Sequence, residues 1–168
     1  VLAEVLEAAS PKEVFCDVNI RLDYYSKEII AQSLEHCTIL KLNDEEVPII
    51  SELLYGREII DREFCDKMRE DWGIHTTAIT RGKDGASVGR GDQYIHVPVI
   101  DVRVVDTVGA GDSFSAAFLF GLYYTDDIER AANLASLVSS FVASESGAIP
   151  EYDEPVKKAI ERVHREAT

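Results

Sequence analysis

The sequence predicts an α/β fold in which a mainly parallel central sheet is covered by helices on both faces. Two observations carry this prediction. Short runs of apolar residues recur along the chain and are typical of buried strands. Segments with helical spacing of apolar residues, roughly 8–20 residues long, separate most of these runs, as parallel sheets require. At 168 residues the chain has the length of one domain, so we expect a single domain over residues 1–168.

The first half of the chain alternates between helix and strand. Helical spacing predicts a helix over 1–9, and a short apolar run predicts a strand over 14–16 that ends at Asp17. Ser26 belongs to the residue types that favour the N-cap and predicts a helix that begins there and reaches residue 36. The elements predicted next, by the same two patterns, are a strand over 38–42, helices over 48–55 and 62–72, and a strand over 76–80.

The second half begins with a hairpin. Residues 86–88 and 93–97 alternate as strands do, and they flank the turn-forming residues 89–92. An apolar run predicts a further strand over 102–105. Helical spacing then predicts the last elements, which are helices over 111–123, 127–144 and 155–166.

Charge and composition exclude several classes of protein. A formal net charge of −14 argues against nucleic acid or an anionic membrane as a partner. No apolar run approaches the ~18 residues of a membrane-spanning helix. Cys16, Cys37 and Cys65 are widely spaced without a C-x-x-C pair, which is typical of reduced thiols rather than of a metal or redox site. We therefore expect a cytoplasmic location.

Segment 106–112, Asp-Thr-Val-Gly-Ala-Gly-Asp, leads into a predicted helix. Its glycines let backbone N–H groups approach an anion, and the helix N-terminus adds partial positive charge. Asp112 could orient or deprotonate a hydroxyl group there, a combination that favours phosphoryl transfer. The segment is not a dinucleotide fingerprint, because Phe114 occupies the third glycine position. Two alternatives stay open: Asp112 only complements the helix dipole, and Asp106 is only a turn residue or cap.

Residues 106–118, which continue the segment with Ser-Phe-Ser-Ala-Ala-Phe, resemble the C-terminal signature of the PfkB family of ribokinase-like carbohydrate kinases. The resemblance implies that Asp112 is the catalytic base. It also implies that Gly109, Ala110 and Gly111 supply the anion hole for the transferred phosphoryl group. The fold it implies is the ribokinase-like three-layer α/β sandwich, and the cofactors are ATP and Mg²⁺.

Asn43 and Glu46 follow the predicted strand over 38–42 and resemble the family's Asn-x-x-Glu motif. The resemblance implies that Asn43 helps to position the nucleotide phosphates and that Glu46 reaches Mg²⁺ through water. A capping box, in which the same two residues close the start of a helix, is the alternative. Pro48 argues against it, because a helix that began at Asp44 would lose an internal hydrogen bond at the proline. We therefore expect ligand binding by both residues.

Shorter matches to the family supply the other candidates in the first half of the chain. Thr80, Gly82 and Gly85 resemble its Thr-x-Gly-x-x-Gly turn beside the nucleotide, although a strand-to-hairpin turn would use the same glycines. Arg21 lies in a segment that resembles the Asp-x-Asn-x-Arg of fructokinase-like members. Both Arg21 and Lys41 are candidates for contact with substrate or phosphate, and a solvent-facing Arg21 is the alternative.

Two candidates lie in the second half. Asn133 falls in a stretch that matches the family's adenine-side helix, where plain helix packing is the alternative. Some relatives bind a monovalent cation near the residue that matches Asp106, so K⁺ is a candidate ligand at this position.

The resemblance covers essentially the whole chain but only the C-terminal portion of the family's fold. We therefore expect the N-terminal half, with most sugar-binding residues and a lid, to lie outside this chain, and this fragment alone to be inactive. The expected enzyme is a fructokinase-like, ATP-dependent sugar kinase, with a homodimer as the expected full-length assembly. The alternatives are a 2-keto-3-deoxygluconate or ribose kinase, a truncated non-catalytic nucleotide-binding module, and a nicotinamide-dependent oxidoreductase.

Overall fold

The computed structural model describes residues 2–22 and 24–166, and leaves the side chains of Leu2 and Ala3 undescribed. The strands are β1 Phe15–Asp17, β2 Ile39–Asn43, β3 Thr76–Thr80, β4 Ala86–Arg90 and β5 Gln93–Val97. The helices are α1 Leu2–Ala9, α2 Lys27–Leu34, α3 Glu46–Tyr55, α4 Asp61–Trp72, α5 Ala110–Thr125, α6 Ile128–Ser144 and α7 Glu154–Glu166. The predicted residue 1 of the first helix lies outside the described residues.

The strands form one sheet in the order β1-β2-β3-β4-β5. β1 pairs with β2 in parallel, and β2 with β3 in parallel, so that Asp17 lies opposite Lys41 and Asn43 opposite Thr80. β4 and β5 are joined only by residues 91–92, a connection that is long enough for an antiparallel hairpin and far too short for a parallel crossover. The prediction of an α/β fold with a mainly parallel sheet and a terminal hairpin is confirmed.

The chain divides into two compact units. The first unit comprises Val1–Thr80 and Ser87–Tyr94, and the second comprises Arg81–Ala86 and Ile95–Thr168. Buried side chains from β2, β3 and helices α2 to α4 form the core of the first unit, with Leu40, Ile50, Phe64 and Met68 fully enclosed. The prediction of a single domain over 1–168 stays a prediction.

Three helices pack together in the second unit, and Gly121 lets α5 and α6 approach closely. A Cβ at Gly121 would lie 2.6 Å from the Cα of Ala131 on α6, closer than real contacts allow. The side chain of Asp127 caps α6 by accepting hydrogen bonds from the N–H groups of Glu129 and Arg130. The contact between α5 and α6 therefore requires a glycine on one side and a small residue on the other.

The predicted strand over 102–105 is wrong, since none of these residues belongs to a strand. The side chains of Val104 and Val105 are 60% and 58% exposed. The N–H groups of Val105 and Asp106 donate to the carbonyl of Ala143, at distances of 2.8 and 3.2 Å, rather than to a neighbouring strand. An apolar run forms a strand only where a neighbouring strand can accept its backbone hydrogen bonds. Here the end of α6 accepts the backbone hydrogen bonds of Val105 and Asp106 instead.

The three cysteines all lie in the first unit. Cys16, Cys37 and Cys65 are free thiols, of which Cys37 and Cys65 are buried. A hydrogen bond with Cys16, together with burial, raises the pKa of the Cys37 thiol. Among residues 2–22 and 24–166, no helix combines the length and the apolar character that crossing a membrane would need.

We expect Gly121→Ala to lower the free energy of unfolding by about 2 kcal/mol, because the added methyl group forces α5 and α6 apart. Chemical denaturation of the full-length protein measures the effect. Ala116→Gly, at an exposed position on the same helix, is the control and should cost only the helix-propensity difference of about 1 kcal/mol. An increase in the stability of Gly121→Ala would contradict this, because it would mean that the higher helix propensity of alanine outweighs the steric overlap with Ala131.

Candidate functional site

The carboxyl ends of β2 and β3 bring three candidate residues together in the first unit. Asn43 and Thr80 are partners in the parallel register, and the N–H of Asp44 donates to the carbonyl of Thr80 at 3.0 Å. Glu46 begins α3 directly after β2. Ligands of open α/β sheets bind at this end of the strands, so the predicted positions of Asn43, Glu46 and Thr80 agree with the general rule.

Asn43 and Glu46 form the reciprocal hydrogen bonds of a capping box. The side-chain oxygen of Asn43 accepts hydrogen bonds from the N–H groups of Glu45 and Glu46, both at 2.9 Å. One carboxylate oxygen of Glu46 accepts in return from the N–H of Asn43 at 2.8 Å. Pro48 does not prevent this arrangement, because α3 begins at Glu46 and the proline falls in the first turn, where N–H groups have no helical partner.

Glu46 also fixes the segment after β1. Its other carboxylate oxygen accepts a hydrogen bond from the N–H of Ile20 at 2.7 Å, and the residue is only 4% exposed. Each oxygen thus uses one acceptor position and keeps another. This geometry fits a contact with a metal through water better than direct coordination. Among the described residues, no group of three or more His, Cys, Asp or Glu side chains could hold a metal ion without help from a ligand.

Lys41 has an internal partner that the sequence analysis did not identify. Its ammonium group lies 3.0 and 3.1 Å from the two carboxylate oxygens of Asp17, directly across the β1–β2 pair, and Lys41 is buried. Asp17 is the first residue of the Asp-x-Asn-x-Arg segment. Its pairing with Lys41 follows from the parallel register of β1 and β2, which the sequence alone does not reveal. Arg21 is exposed, as the alternative reading required, and its Nε donates to the side-chain oxygen of Asn19 at 3.2 Å.

The glycine turn after β3 lies in the second unit from Arg81 onward. A short 3-10 helix spans Gly82–Asp84, and the N–H of Arg81 donates to the carbonyl of Gly85 at 2.8 Å. Gly85 has φ +84°, and a Cβ there would lie 2.1 Å from the carbonyl oxygen of Val97. The turn therefore leads from strand to hairpin as the alternative proposed, and the role of Gly82 and Gly85 beside a nucleotide stays a prediction.

Gly109 sets the start of α5. It is the N-cap residue in a left-handed conformation with φ +81°, and a Cβ there would lie 2.6 Å from the carbonyl oxygen of Ala148. A non-glycine residue would therefore meet both backbone strain and a steric overlap. The N–H of Ala110 donates to the carbonyl of Thr107 at 3.2 Å. Within the described part of the chain, the N–H groups of Gly109 and Gly111 have no acceptor.

Asp112 lies in the first turn of α5 and is exposed. Across residues 2–22 and 24–166, its carboxylate makes no hydrogen bond or ion pair. A carboxylate that no neighbouring side chain neutralises, beside helix N–H groups without acceptors, is suited to accept a proton next to a bound anion.

Asp106 holds two loops of the second unit together. One carboxylate oxygen accepts a hydrogen bond from the N–H of Val108 at 3.0 Å, which makes the turn that the alternative reading proposed. The other accepts from the N–H of Gly147 at 3.2 Å, in the loop after α6. A monovalent cation at Asp106 stays a prediction.

Asn133 is exposed on α6, and its side-chain amide donates to the carbonyl of Glu129 one turn earlier at 2.8 Å. This contact lies within one helix. The role of Asn133 on the adenine side of a nucleotide stays a prediction.

Comparison with known proteins first defines the class of protein. A solved nucleoside kinase of Methanocaldococcus jannaschii, described as an archaeal member of the ribokinase family, matches this chain with a TM-score of 0.74 and 28% identity over 95% of this chain and 52% of its own. A solved sugar kinase from Pyrococcus horikoshii in complex with ATP matches with a TM-score of 0.76 and 27% identity over 96% of this chain and 53% of its own. The chain has the ribokinase fold.

The family follows from the sequence. The model of the pfkB family of carbohydrate kinases matches residues 1–155, and the chain belongs to this family. A fructokinase of Escherichia coli is 30% identical over 144 residues, which are 79% of this chain and 45% of the fructokinase. The chain thus spans about half the length of the relatives it matches.

We expect Gly109→Ala to lower the free energy of unfolding by about 3 kcal/mol, since the substitution adds left-handed strain to an overlap with Ala148. Gly147→Ala is the matched control. Gly147 has φ +87° but open space around its Cβ position, so this variant should lose only the conformational term of about 1 kcal/mol. Equal losses in the two variants, measured by chemical denaturation, would contradict a packing role for Gly109.

Proposed function

We propose that the protein to which this chain belongs is an ATP-dependent sugar kinase that transfers the γ-phosphoryl group to a sugar hydroxyl. Membership of the pfkB family supports the reaction class. The observation that carries the residue assignment is the exposed, unpaired carboxylate of Asp112 in the first turn of α5. In this proposal the chain carries the nucleotide site and the catalytic base.

Asp112 accepts the proton of the attacking hydroxyl as the new bond to phosphorus forms. Its position supports this role, because a general base must be reachable by the substrate and must not be held by another side chain. A positioned base contributes typically about 10²–10⁴-fold to the rate.

The start of α5 stabilises charge on the transferring group. Gly109 and Gly111 present N–H groups without acceptors, and the helix dipole adds partial positive charge. Ala110 contributes less to this anion hole than the sequence predicts, because its N–H already donates to Thr107. Transfer of a phosphoryl group depends mainly on positioning and electrostatics, which backbone donors at a fixed helix start provide.

Residues at the strand ends hold the nucleotide in this proposal. Asn43 and Thr80 lie together at the ends of β2 and β3, and Glu46 keeps acceptor positions for a metal-bound water. Bound with the nucleotide, Mg²⁺ supplies positive charge that offsets the phosphate oxygens. We assign Gly82, Gly85 and Asn133 to the nucleotide side, Arg21 and Lys41 to substrate or phosphate contact, and Asp106 to a monovalent cation such as K⁺.

Lys41 is the weaker of the two candidates for substrate or phosphate contact, since its ammonium group is paired with Asp17. Fructose is our first choice of substrate, supported by the resemblance of the segment from Asp17 to Arg21 to fructokinase-like members. The similarity to a nucleoside kinase keeps the ribose ring of a nucleoside among the candidates. A cytoplasmic homodimer is the form we expect for the whole protein.

In the full-length protein, Asp112→Asn should lower kcat for sugar phosphorylation at least about 100-fold, because the amide cannot accept the hydroxyl proton. The affinity for ATP should change less than about threefold, since the substitution leaves the helix start intact. A coupled assay of ADP release across common sugars and ribonucleosides measures the first value, and equilibrium binding of ATP measures the second.

Glu154→Gln is the control, because it removes an exposed carboxylate from the first turn of another helix, α7. It should leave kcat within about twofold. Near-normal turnover of Asp112→Asn would refute the assignment of the catalytic base.

A further inference from the structure

The segment that follows β1, residues 18–21, lies outside any helix or strand but is attached to the first unit at two points. The N–H of Val18 donates to the carbonyl of Lys41 on β2 at 3.3 Å, and the N–H of Ile20 donates to the carboxylate of Glu46 at 2.7 Å. The side chains of Val18 and Ile20 are partly buried against the core. The backbone of the segment is therefore held by both β2 and the start of α3.

Arg21 ends this segment and is exposed. Its Nε donates to the side-chain oxygen of Asn19 at 3.2 Å, and Asn19 has φ +47°, a left-handed conformation that asparagine adopts more readily than most residues. This contact uses only the Nε–H of a guanidinium group that carries further N–H donors at its terminal nitrogens. The place where Arg21 presents those donors thus depends on the backbone of residues 18–21.

A buried ion pair fixes the point at which the segment begins. Asp17 is the last residue of β1, and its two carboxylate oxygens lie 3.0 and 3.1 Å from the ammonium group of Lys41. The side chains of Asp17 and Lys41 are 25% and 10% exposed. Because these residues face each other across the parallel strands, the pair holds the end of β1 in register with β2 directly before residue 18.

Stability alone is a weak reason for such a pair. Burial removes the hydration of both charges, and an apolar pair of similar size often stabilises a fold equally well. The pair of Arg57 with Glu63, in the same unit, is 54% and 57% exposed and carries no such cost. What the buried pair adds over an apolar one is a fixed, directional contact at the end of β1.

We propose that Asp17 is a positioning residue of the kinase, which acts through residues 18–21 on the contact of Arg21 with the acceptor. The inference rests on the proposed function, in which Arg21 contacts substrate or phosphate. The topology favours the acceptor over the nucleotide, because β2 separates β1 from β3 and so places the end of β1 about 10 Å from the strand of Thr80. A small displacement of a substrate-contacting group lowers the rate strongly, so its support matters.

Steady-state kinetics of the full-length protein test the proposal, with the acceptor that the coupled assay identifies. Asp17→Asn should lower kcat/KM for the acceptor at least about tenfold and change the Kd for ATP less than about threefold. Arg21→Gln should have a similar effect. Because Asp17 acts through Arg21, the double variant should lose no more than about twofold beyond the larger single loss. Asp17→Glu, which keeps the charge, should be at least about threefold more active than Asp17→Asn.

Loss of Asp17 alone leaves a buried ammonium group without its partner, so circular dichroism checks that Asp17→Asn is folded. The variant Asp17→Asn/Lys41→Met removes both charges and avoids this defect. It should still lower kcat/KM for the acceptor at least about fivefold, and its loss should not add to that of Arg21→Gln.

Glu63→Gln is the matched control, because it makes the same change in net charge and breaks the exposed ion pair with Arg57. It should leave kcat/KM within about twofold. Losses from Asp17→Asn and Arg21→Gln that multiply in the double variant would overturn the inference, and so would full activity of folded Asp17→Asn/Lys41→Met. Either result leaves the kinase proposal intact. Absence of phosphorylation by the unmodified protein with every acceptor would refute the kinase proposal itself, and this inference with it.

Discussion

The start of α5 depends on the close contact between Gly109 and Ala148. No side chain fits at residue 109, because its backbone is left-handed and Ala148 occupies the position of a Cβ. Asp106 strengthens the same contact by accepting hydrogen bonds from Val108 on one side and Gly147 on the other. The loop before α5 and the loop after α6 are thereby fixed together, and Asp112 is presented from a helix start that cannot easily shift.

Glu46 has a comparable position in the first unit. Its buried carboxylate joins the segment after β1 to the end of β2 through Ile20 and Asn43. The same residues that are candidates for nucleotide binding therefore also hold the strand ends in place. A capping role and a ligand role are compatible here, because each carboxylate oxygen still has an acceptor position. Loss of Glu46 would thus affect stability as well as any metal contact.

The sequence was sufficient to predict what depends on local pattern. Apolar runs located β1 to β3, and alternating residues on either side of 89–92 located the hairpin of β4 and β5. Contacts between residues that are distant in the sequence could not be predicted from local pattern. The run at 102–105 looks like a strand but bonds to the end of α6, and Lys41 meets Asp17 only because of the parallel register. The inference from Pro48 is wrong, because the helix begins at Glu46, two residues later than Asp44.

The most direct measurement is a crystal structure of the full-length protein with a non-hydrolysable ATP analogue and the sugar that it phosphorylates. Our account predicts that the Asp112 carboxylate lies within about 2.6–3.2 Å of the acceptor hydroxyl. It also predicts that the terminal phosphate faces the N–H groups of Gly109 and Gly111. An Asp112 carboxylate remote from the hydroxyl, with another base in contact with it, would contradict the central claim.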